Sequence, residues 1–142
     1  GARISAEFDW ADVTSEARDH YGREPSLDGR VAFKVLPDPR DPARDVFDAG
    51  RNSPEGTREW FTLDGIEPDR PLTLVFRAAP VASRVVPISI DGTPAGELRL
   101  PRTDGWVEVA LDVKPVTSTR IRVELGPSGE RVLYHAWAVQ GR

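Results

Sequence analysis

Apolar and polar residues alternate with a period of two along most of this chain, and this alternation constrains the fold more than any other feature. A period of two places every second side chain on the same face, which is typical of a β-strand with one buried face. Glycine, proline and aspartate interrupt the pattern every 8–12 residues. The sequence therefore predicts an all-β domain of two packed antiparallel sheets, a β-sandwich of the jelly-roll type.

Rows of alternating apolar residues predict eight to ten short strands. Each row is expected to face the interior of the sandwich. The rows are Ile4, Ala6, Phe8 and Trp10; Val31, Phe33 and Val35; Phe61 and Leu63; Leu72, Leu74 and Phe76; Val86, Ile88 and Ile90; Leu98 and Leu100; Val107, Val109, Leu111 and Val113; and Ile121, Val123 and Leu125.

Four local features refine this outline. One short helix is predicted between Thr14 and Tyr21, with Asp12 or Thr14 as its N-cap. Closely spaced prolines at 37, 39 and 42 predict an irregular loop. A hairpin loop is predicted at Asp91-Gly92-Thr93-Pro94-Ala95, and Pro87 predicts an edge strand or a late strand start. The last strand, at 131–139, is nearly apolar on both faces and is predicted to be central.

Length and composition fit one globular domain. At 142 residues the chain is expected to form a single domain over residues 1–142. The net charge of −4 gives no electrostatic reason to bind nucleic acid, and no apolar run is long enough to insert into a membrane. The absence of cysteine excludes disulfides, thiolate metal sites and a cysteine nucleophile. Because the sequence also lacks methionine, we expect it to be part of a longer protein.

No motif of a known catalytic chemistry is present. The sequence has no GxSxG, HExxH, Walker-type or GxGxxG pattern, and its histidines, His20 and His135, lack metal-ligand spacing. Glu59, Glu108 and Glu124 are predicted to point outward, on solvated faces shared with arginines. Glycoside hydrolysis needs a carboxyl group buried enough to raise its pKa, and these positions give no sign of one. We therefore predict that the domain is not an enzyme, with a two-carboxylate hydrolase as a minor alternative.

Acidic residues crowd the first strand and the turn that follows it. Glu7, Asp9, Asp12 and Glu16 offer the carboxylate oxygens that calcium prefers. Their spacing is not that of an EF-hand, and helix capping together with solvent exposure explains the same residues. No metal ligand and no other cofactor are therefore predicted, and a structural calcium ion is the minor alternative.

Tryptophan gives the best indication of function. Trp10 and Trp137 align with apolar neighbours and are predicted to lie in the core. Trp60 and Trp106 instead fall on polar faces of their strands. Trp60 shares its face with Arg58, and Trp106 shares its face with Glu108. A large aromatic ring on a polar sheet face often marks a contact surface.

An indole ring flanked by charged groups suits a sugar. The apolar face of the sugar stacks on the ring, and the charged groups hydrogen-bond its hydroxyls. The alternative is that the domain covers both rings itself, with Trp106 folded over the sandwich edge and a loop over Trp60. The predicted ligand-binding residues are Trp60, Trp106, Arg58, Arg77 and Glu108.

Five segments carry a resemblance to a known kind of domain: Trp60-Phe61-Thr62-Leu63, Pro71-Leu72-Thr73-Leu74-Val75-Phe76-Arg77, Ile88-Ser89-Ile90-Asp91-Gly92, Gly105-Trp106-Val107-Glu108-Val109 and Tyr134-His135-Ala136-Trp137-Ala138-Val139. Their order resembles that of bacterial accessory β-sandwiches of the galactose-binding-like and carbohydrate-binding-module type. The resemblance covers most of residues 57–139 and only loosely the first 50.

The resemblance implies a non-catalytic domain attached to a secreted or cell-surface enzyme, and hence an extracytoplasmic location. Some such domains bind calcium through an acidic first strand and an acid in the last strand. Glu7 and Asp9 match the first strand, whereas Tyr134 to Val139 contains no acid.

These observations leave two hypotheses about function. The leading one is a carbohydrate-binding accessory module whose partner is an oligo- or polysaccharide. The alternative is a structural or protein-interaction domain that packs against a neighbouring domain of a longer protein.

Overall fold

The computed structural model describes residues 1–25 and 30–141, and β-strands dominate these residues. In this part of the chain no helix is long and apolar enough to cross a membrane. The predicted all-β fold is confirmed. The elements are β1 (Ala2–Asp9), α1 (Val13–Arg18), β2 (Gly22–Glu24), β3 (Val31–Asp38), β4 (Asp41–Ser53), β5 (Arg58–Asp64), β6 (Leu72–Ala78), β7 (Arg84–Ile90), β8 (Thr93–Leu100), β9 (Val107–Val113), β10 (Arg120–Leu125) and β11 (Arg131–Gly141).

The strands form two antiparallel sheets. The six-stranded sheet has the order β3-β4-β11-β6-β9. The sixth strand, β1, also pairs with β11, on the same side as β4 but farther along the strand. The five-stranded sheet has the order β2-β5-β10-β7-β8. Because β11 has neighbours on both of its edges, its predicted central position is confirmed. The face of the six-stranded sheet that is turned away from the other sheet is called its outer face below.

Aromatic rings hold the two sheets together. Phe8 of β1 stacks on Phe61 of β5, with 4.3 Å between the ring centroids, and Trp10 meets both rings edge-on. Since β1 and β5 belong to different sheets, this cluster bridges the two layers. The predicted inward rows surround it, and the fully buried residues include Leu63, Leu74, Phe76, Val86, Ile121, Val123 and Leu125.

Two local predictions are confirmed by the backbone. The side chain of Asp12 accepts a hydrogen bond from the backbone N–H of Ser15, which makes Asp12 the N-cap of α1. Between β7 and β8, Asp91 and Gly92 have φ angles of 50° and 82°. Two consecutive positive φ angles are the requirement of the two-residue type I′ hairpin, which the Asp-Gly pair favours. The loop is shorter than predicted, because β8 begins at Thr93.

The proline-rich segment is not a loop, contrary to the prediction. Pro37 lies in β3 and Pro42 in β4, and Pro39 lies in the short turn between them; the two strands form a long hairpin, the β3–β4 hairpin. Proline is tolerated there because β3 is an edge strand and needs no N–H for a further neighbour. Val31, Phe33 and Val35, predicted to be buried, are exposed on this hairpin. The reason is that β4 pairs with β11 through Arg51–Ser53 alone, so the rest of the hairpin is not packed between the two sheets.

Three further positions differ from the prediction. Ile4 is exposed because the pairing register with β11 shifts between Ile4 and Ala6. Pro87 lies in β7, which is not an edge strand, but its pairing with β10 spans only Ile88–Ile90. Glu59 points inward and is 1% exposed, because it shares the buried face of β5 with Phe61.

Candidate ligand-binding cleft

The β3–β4 hairpin lies across the outer face of the six-stranded sheet. In the sheet, β11 and β6 separate β4 from β9. Nevertheless, the indole N–H of Trp106, just before β9, donates to the carbonyl of Val46 at 3.2 Å. The guanidinium of Arg40, in the hairpin turn, contacts the carboxylate of Glu108 on β9 at 2.5 Å. The hairpin therefore spans the sheet and forms a wall beside its outer face.

A close backbone approach positions this wall. A Cβ added to Gly50 of β4 would lie 2.4 Å from the carbonyl oxygen of Leu133 and 2.8 Å from the ring of Tyr134. A side chain at this position would push β4 away from β11, so glycine is needed here. Tyr134 in turn packs edge-on against Trp106, with 4.8 Å between the ring centroids.

Trp137 is the aromatic ring of the outer face. It lies on the central strand β11, it is half-buried, and it faces away from the core that Ala136 and Ala138 line. The imidazole of His135 stacks on it, with 4.2 Å between the centroids and 18° between the planes. The guanidinium carbon of Arg77 lies 5.0 Å from the Trp137 ring centroid. These two contacts hold the indole in one orientation.

A cleft of about 340 Å³ adjoins Trp137, and it is called the Trp137 cleft below. Aliphatic side chains form part of its surface, and charged side chains lie among them. It is lined by Ile4, Val75, Trp137 and Val139 and by Arg40, Arg77 and Glu108. The cleft thus combines an aromatic ring, aliphatic surface, guanidinium donors and a carboxylate acceptor.

The charged groups of the cleft are held in a network. Arg77 donates to Asp48 of the hairpin at 2.8 Å and to Glu108 at 3.3 Å. Burial raises the pKa of Asp48 above its usual value; the hydrogen bond from Arg77 opposes this effect and the neighbouring Asp9 carboxylate adds to it. Arg40 is different, because 69% of its side chain is exposed and its remaining donors can reach a ligand.

The structure brings together only part of the predicted site. Arg77 and Glu108 both line the Trp137 cleft. Trp106 lies nearby, but it is 6% exposed beneath Val46 and cannot offer a ring face to a ligand. The prediction that Trp106 lies on an exposed polar face is therefore wrong, because the hairpin covers it.

Trp60 and Arg58 lie on β5, in the other sheet, and face away from the core. Their side chains are therefore on the opposite side of the sandwich from the Trp137 cleft. The guanidinium carbon of Arg122 lies 5.0 Å from the Trp60 ring centroid, and Gly22 lies directly against the same ring. The five predicted residues do not form one site.

Trp137 was missed because it was predicted to lie in the core. Its strand reads Tyr134-His135-Ala136-Trp137-Ala138-Val139, and the large residues after Tyr134 occupy the outer face. Ala136 pairs with Phe8 on one side and with Phe76 on the other. Because these neighbours fill the interior, the inner position has room for alanine only. The alternation of alanine with large residues is the sequence feature that could have placed Trp137 on the outer face.

One other depression among the described residues is somewhat larger, at about 400 Å³. It lies near His20 and Arg120, and no Trp, Tyr or Phe side chain lines it. It therefore offers polar contacts but no stacking surface, and the Trp137 cleft remains the better candidate.

Comparison with known proteins bears on the fold. No protein-family model matches this sequence, and no curated protein matches it. Several solved structures are similar. A carbohydrate-binding module (CBM6cm-2) of Cellvibrio mixtus lichenase 5A, in complex with cellotriose, superposes with a TM-score of 0.60 at 13% identity, and the alignment covers 99% of each chain.

Two family 35 carbohydrate-binding modules are also similar. The module from Clostridium thermocellum has a TM-score of 0.56 at 13% identity, over 98% of this chain and 97% of that chain. Xyl-CBM35, in complex with a disaccharide that contains glucuronic acid, has a TM-score of 0.55 at 20% identity, over 86% and 94%. The resemblance inferred from the sequence is thus confirmed at the level of the fold: the chain has the β-sandwich fold of these carbohydrate-binding modules.

Proposed function

We propose that this domain binds an oligo- or polysaccharide in the Trp137 cleft and does not act on it chemically. The observation that carries the proposal is the half-buried indole of Trp137, which adjoins a cleft with guanidinium and carboxylate groups around it. The fold similarity to carbohydrate-binding modules supports the same function.

The chemistry of the cleft matches a sugar. One face of a pyranose ring presents C–H groups, which pack on an aromatic ring and displace water from it. The sugar hydroxyls both donate and accept hydrogen bonds. Arg40 and Arg77 offer donors, and Glu108 offers an acceptor. Because Arg77, His135 and Trp137 already hold one another in place, binding orders few side chains.

The ligands of the similar structures indicate which sugars to test. One of these structures contains cellotriose, and another contains a disaccharide with glucuronic acid. An exposed arginine such as Arg40 suits a uronate carboxylate as well as a neutral hydroxyl. The panel should therefore include neutral β-glucan oligosaccharides and oligosaccharides that contain a uronic acid.

The cleft favours binding without catalysis. Glycoside hydrolysis uses two carboxyl groups that flank the scissile bond. Among the residues that line the Trp137 cleft, Glu108 is the one carboxylate, and both Arg40 and Arg77 contact it. We infer a non-catalytic accessory module of a larger extracytoplasmic protein, by analogy with the lichenase module of the same fold.

Trp137→Ala is expected to weaken binding of the best glycan at least about tenfold, which corresponds to about 1.4 kcal/mol. The reason is that alanine removes the stacking surface and leaves the cleft without an aromatic ring. Isothermal titration calorimetry against the glycan panel measures this effect. Trp60→Ala is the matched control, since Trp60 is also half-buried but lies on the opposite sheet. The glycan affinity of this variant should differ from that of the wild type by less than about twofold.

Two results would contradict the proposal. One is a wild-type domain that binds no member of a broad panel of plant, bacterial and animal glycans. The other is glycan binding that Trp137→Ala leaves unchanged although the variant remains folded by circular dichroism.

Arg40→Ala is expected to weaken glycan binding by about two- to fivefold, because it removes one exposed donor and leaves the stacking surface in place. Arg99→Ala is the control: Arg99 is also exposed and also pairs with a glutamate, but on β8 of the other sheet. The same calorimetric titration measures both variants. Equal affinities for the two variants would exclude a role of Arg40 in the site.

One observation favours a second candidate function, packing against a neighbouring domain. Val31, Phe33, Val35 and Phe47 are 43–64% exposed on the β3–β4 hairpin, and the two phenylalanines stack at 5.9 Å. Exposed apolar groups of this size often mark a protein contact. Hydrogen exchange compares the isolated domain with a longer protein that contains it. Equal exchange of the hairpin amides in both would remove this candidate.

A further inference from the structure

Some domains of the kind that this chain resembles bind calcium through acids of the first strand and an acid of the last strand. The residues of this chain do not fit that site. Asp12 caps α1, and Glu16 pairs with Arg51 at 2.5 Å. Between Tyr134 and Val139 the last strand contains no acid and presents His135, and an imidazole nitrogen is a poor ligand for calcium.

A different set of possible ligands converges where β1, β4 and β11 meet. Asp9 of β1, Asp48 of β4 and His135 of β11 each offer one ligand atom, and these atoms lie within 4.8 Å of one another. The three residues are distant in sequence, and the β3–β4 hairpin brings Asp48 over the other two. We propose that Asp9, Asp48 and His135 bind a divalent transition-metal cation, with Zn²⁺ as the best fit.

The donor types select this class of cation. Imidazole nitrogen together with carboxylate oxygen suits Zn²⁺ and its neighbours in the first transition row, whereas calcium takes six to eight oxygen ligands. Three protein ligands leave a fourth position of a tetrahedral zinc ion open. Water can occupy that position.

The hydrogen bonds around the cluster support the proposal. The Asp9 side chain is 35% exposed, but its Oδ1 atom is buried, has no hydrogen-bond partner and lies 3.5 Å from Nδ1 of His135. A buried acceptor without a partner costs free energy that a cation at this point would recover. On its other side, Nε2 of His135 faces the carboxylate of Glu7 at 3.4 Å. Such a carboxylate commonly orients a metal-bound histidine.

Asp48 keeps the capacity to bind a cation although its oxygens have partners. Its Oδ2 accepts from Arg77 and its Oδ1 from the backbone N–H of Ala49, each at 2.8 Å. A carboxylate has about four lone-pair directions, so each oxygen retains one. These two hydrogen bonds fix the orientation of the carboxylate toward Asp9 and His135.

The metal site also adjoins the Trp137 cleft, because His135 stacks on Trp137. A cation bound to the imidazole would fix the ring on which the indole rests. We therefore expect zinc to strengthen glycan binding, and this second expectation rests on the proposed function. The metal site itself does not depend on it.

The experiment titrates tag-free domain, stripped of metal with a chelator, with ZnCl₂ and separately with CaCl₂ in a calorimeter. One zinc ion should bind per chain, and calcium should bind at least about 100-fold more weakly. Tryptophan fluorescence should change during the zinc titration, because the imidazole that stacks on Trp137 becomes metal-bound, and Trp137→Phe should reduce that change.

Variants then locate the site. Asp9→Asn, Asp48→Asn and His135→Gln should each weaken zinc binding at least about tenfold. His20→Gln, which changes the other histidine, should leave it unchanged. Thermal unfolding without metal identifies any variant that fails to fold. The zinc affinities of the folded variants then test the site. Absence of stoichiometric zinc binding, tighter binding of calcium, or zinc binding unaffected by the folded variants would overturn the proposal.

A last measurement separates the two proposals. The dissociation constant of the best glycan is measured with zinc and with excess chelator. Zinc binding without any glycan binding would sustain the metal site and refute the proposed function. Glycan binding without zinc binding would support the proposed function and refute the metal site.

Discussion

Replacing Glu59 by alanine is expected to lower the free energy of unfolding by about 3–5 kcal/mol. Glu59 is 1% exposed, and its Oε2 accepts from Arg131, whose side chain is fully buried, at 2.8 Å. Its Oε1 accepts from the indole of Trp10 at 3.0 Å and from the hydroxyl of Tyr21 at 2.6 Å. Alanine would leave the Arg131 charge inside the sandwich without a counter-ion.

Chemical denaturation measures this loss. Glu97→Ala is the control, because Glu97 also pairs with an arginine but in solvent, where such a pair contributes about 0–1 kcal/mol. The double variant Glu59→Leu, Arg131→Met removes both charges and should be more stable than Glu59→Ala alone. A loss below about 1 kcal/mol in Glu59→Ala would show that water or a rearranged partner compensates Arg131.

Phe8→Ala is also expected to cost about 3–5 kcal/mol of folding free energy. Phe8 is fully buried, stacks on Phe61 across the two sheets and contacts Trp10 edge-on. Alanine would leave a cavity at the point where the two layers meet. Because β1 would lose its main anchor, the position of Asp9 beside His135 would also become less fixed.

The matched control is Phe47→Ala, which removes the same atoms from a ring that is 63% exposed on the β3–β4 hairpin. Its free energy of unfolding should change by no more than about 0.5 kcal/mol. Denaturant unfolding of both variants compares them directly. Similar losses in the two variants would mean that the hairpin packs more closely on the sandwich than the exposed fraction of Phe47 indicates.

Most strands could be predicted from the sequence because a period of two is a local property. The rows at Leu72, Leu74 and Phe76 and at Val86, Ile88 and Ile90 are buried as predicted. The row at Val31, Phe33 and Val35 has the same pattern and is exposed. Alternation shows that two faces differ, but it cannot show whether a second layer covers the apolar face.

The candidate site was less predictable than the fold. Arg77 and Glu108 could be predicted to face outward, and both line the Trp137 cleft. Trp106 and Trp137 were assigned to the wrong environments. The hairpin covers Trp106, and the phenylalanines on β1 and β6 leave Trp137 no space in the interior. Both causes lie in parts of the chain far from the residue concerned.

The sequence by itself determined most of the strands, the central last strand and the Asp91-Gly92 turn, and it limited the helix cap to Asp12 or Thr14, since each depends on residues that are close together along the chain. Only the tertiary structure decided which tryptophan lies in a cleft and which carboxylates meet. Asp9, Asp48 and His135 come together because three strands that are distant in sequence lie side by side or across one another. Such proximity depends on how the layers pack and on where the β3–β4 hairpin lies, and neither leaves a periodic signal in the residues themselves.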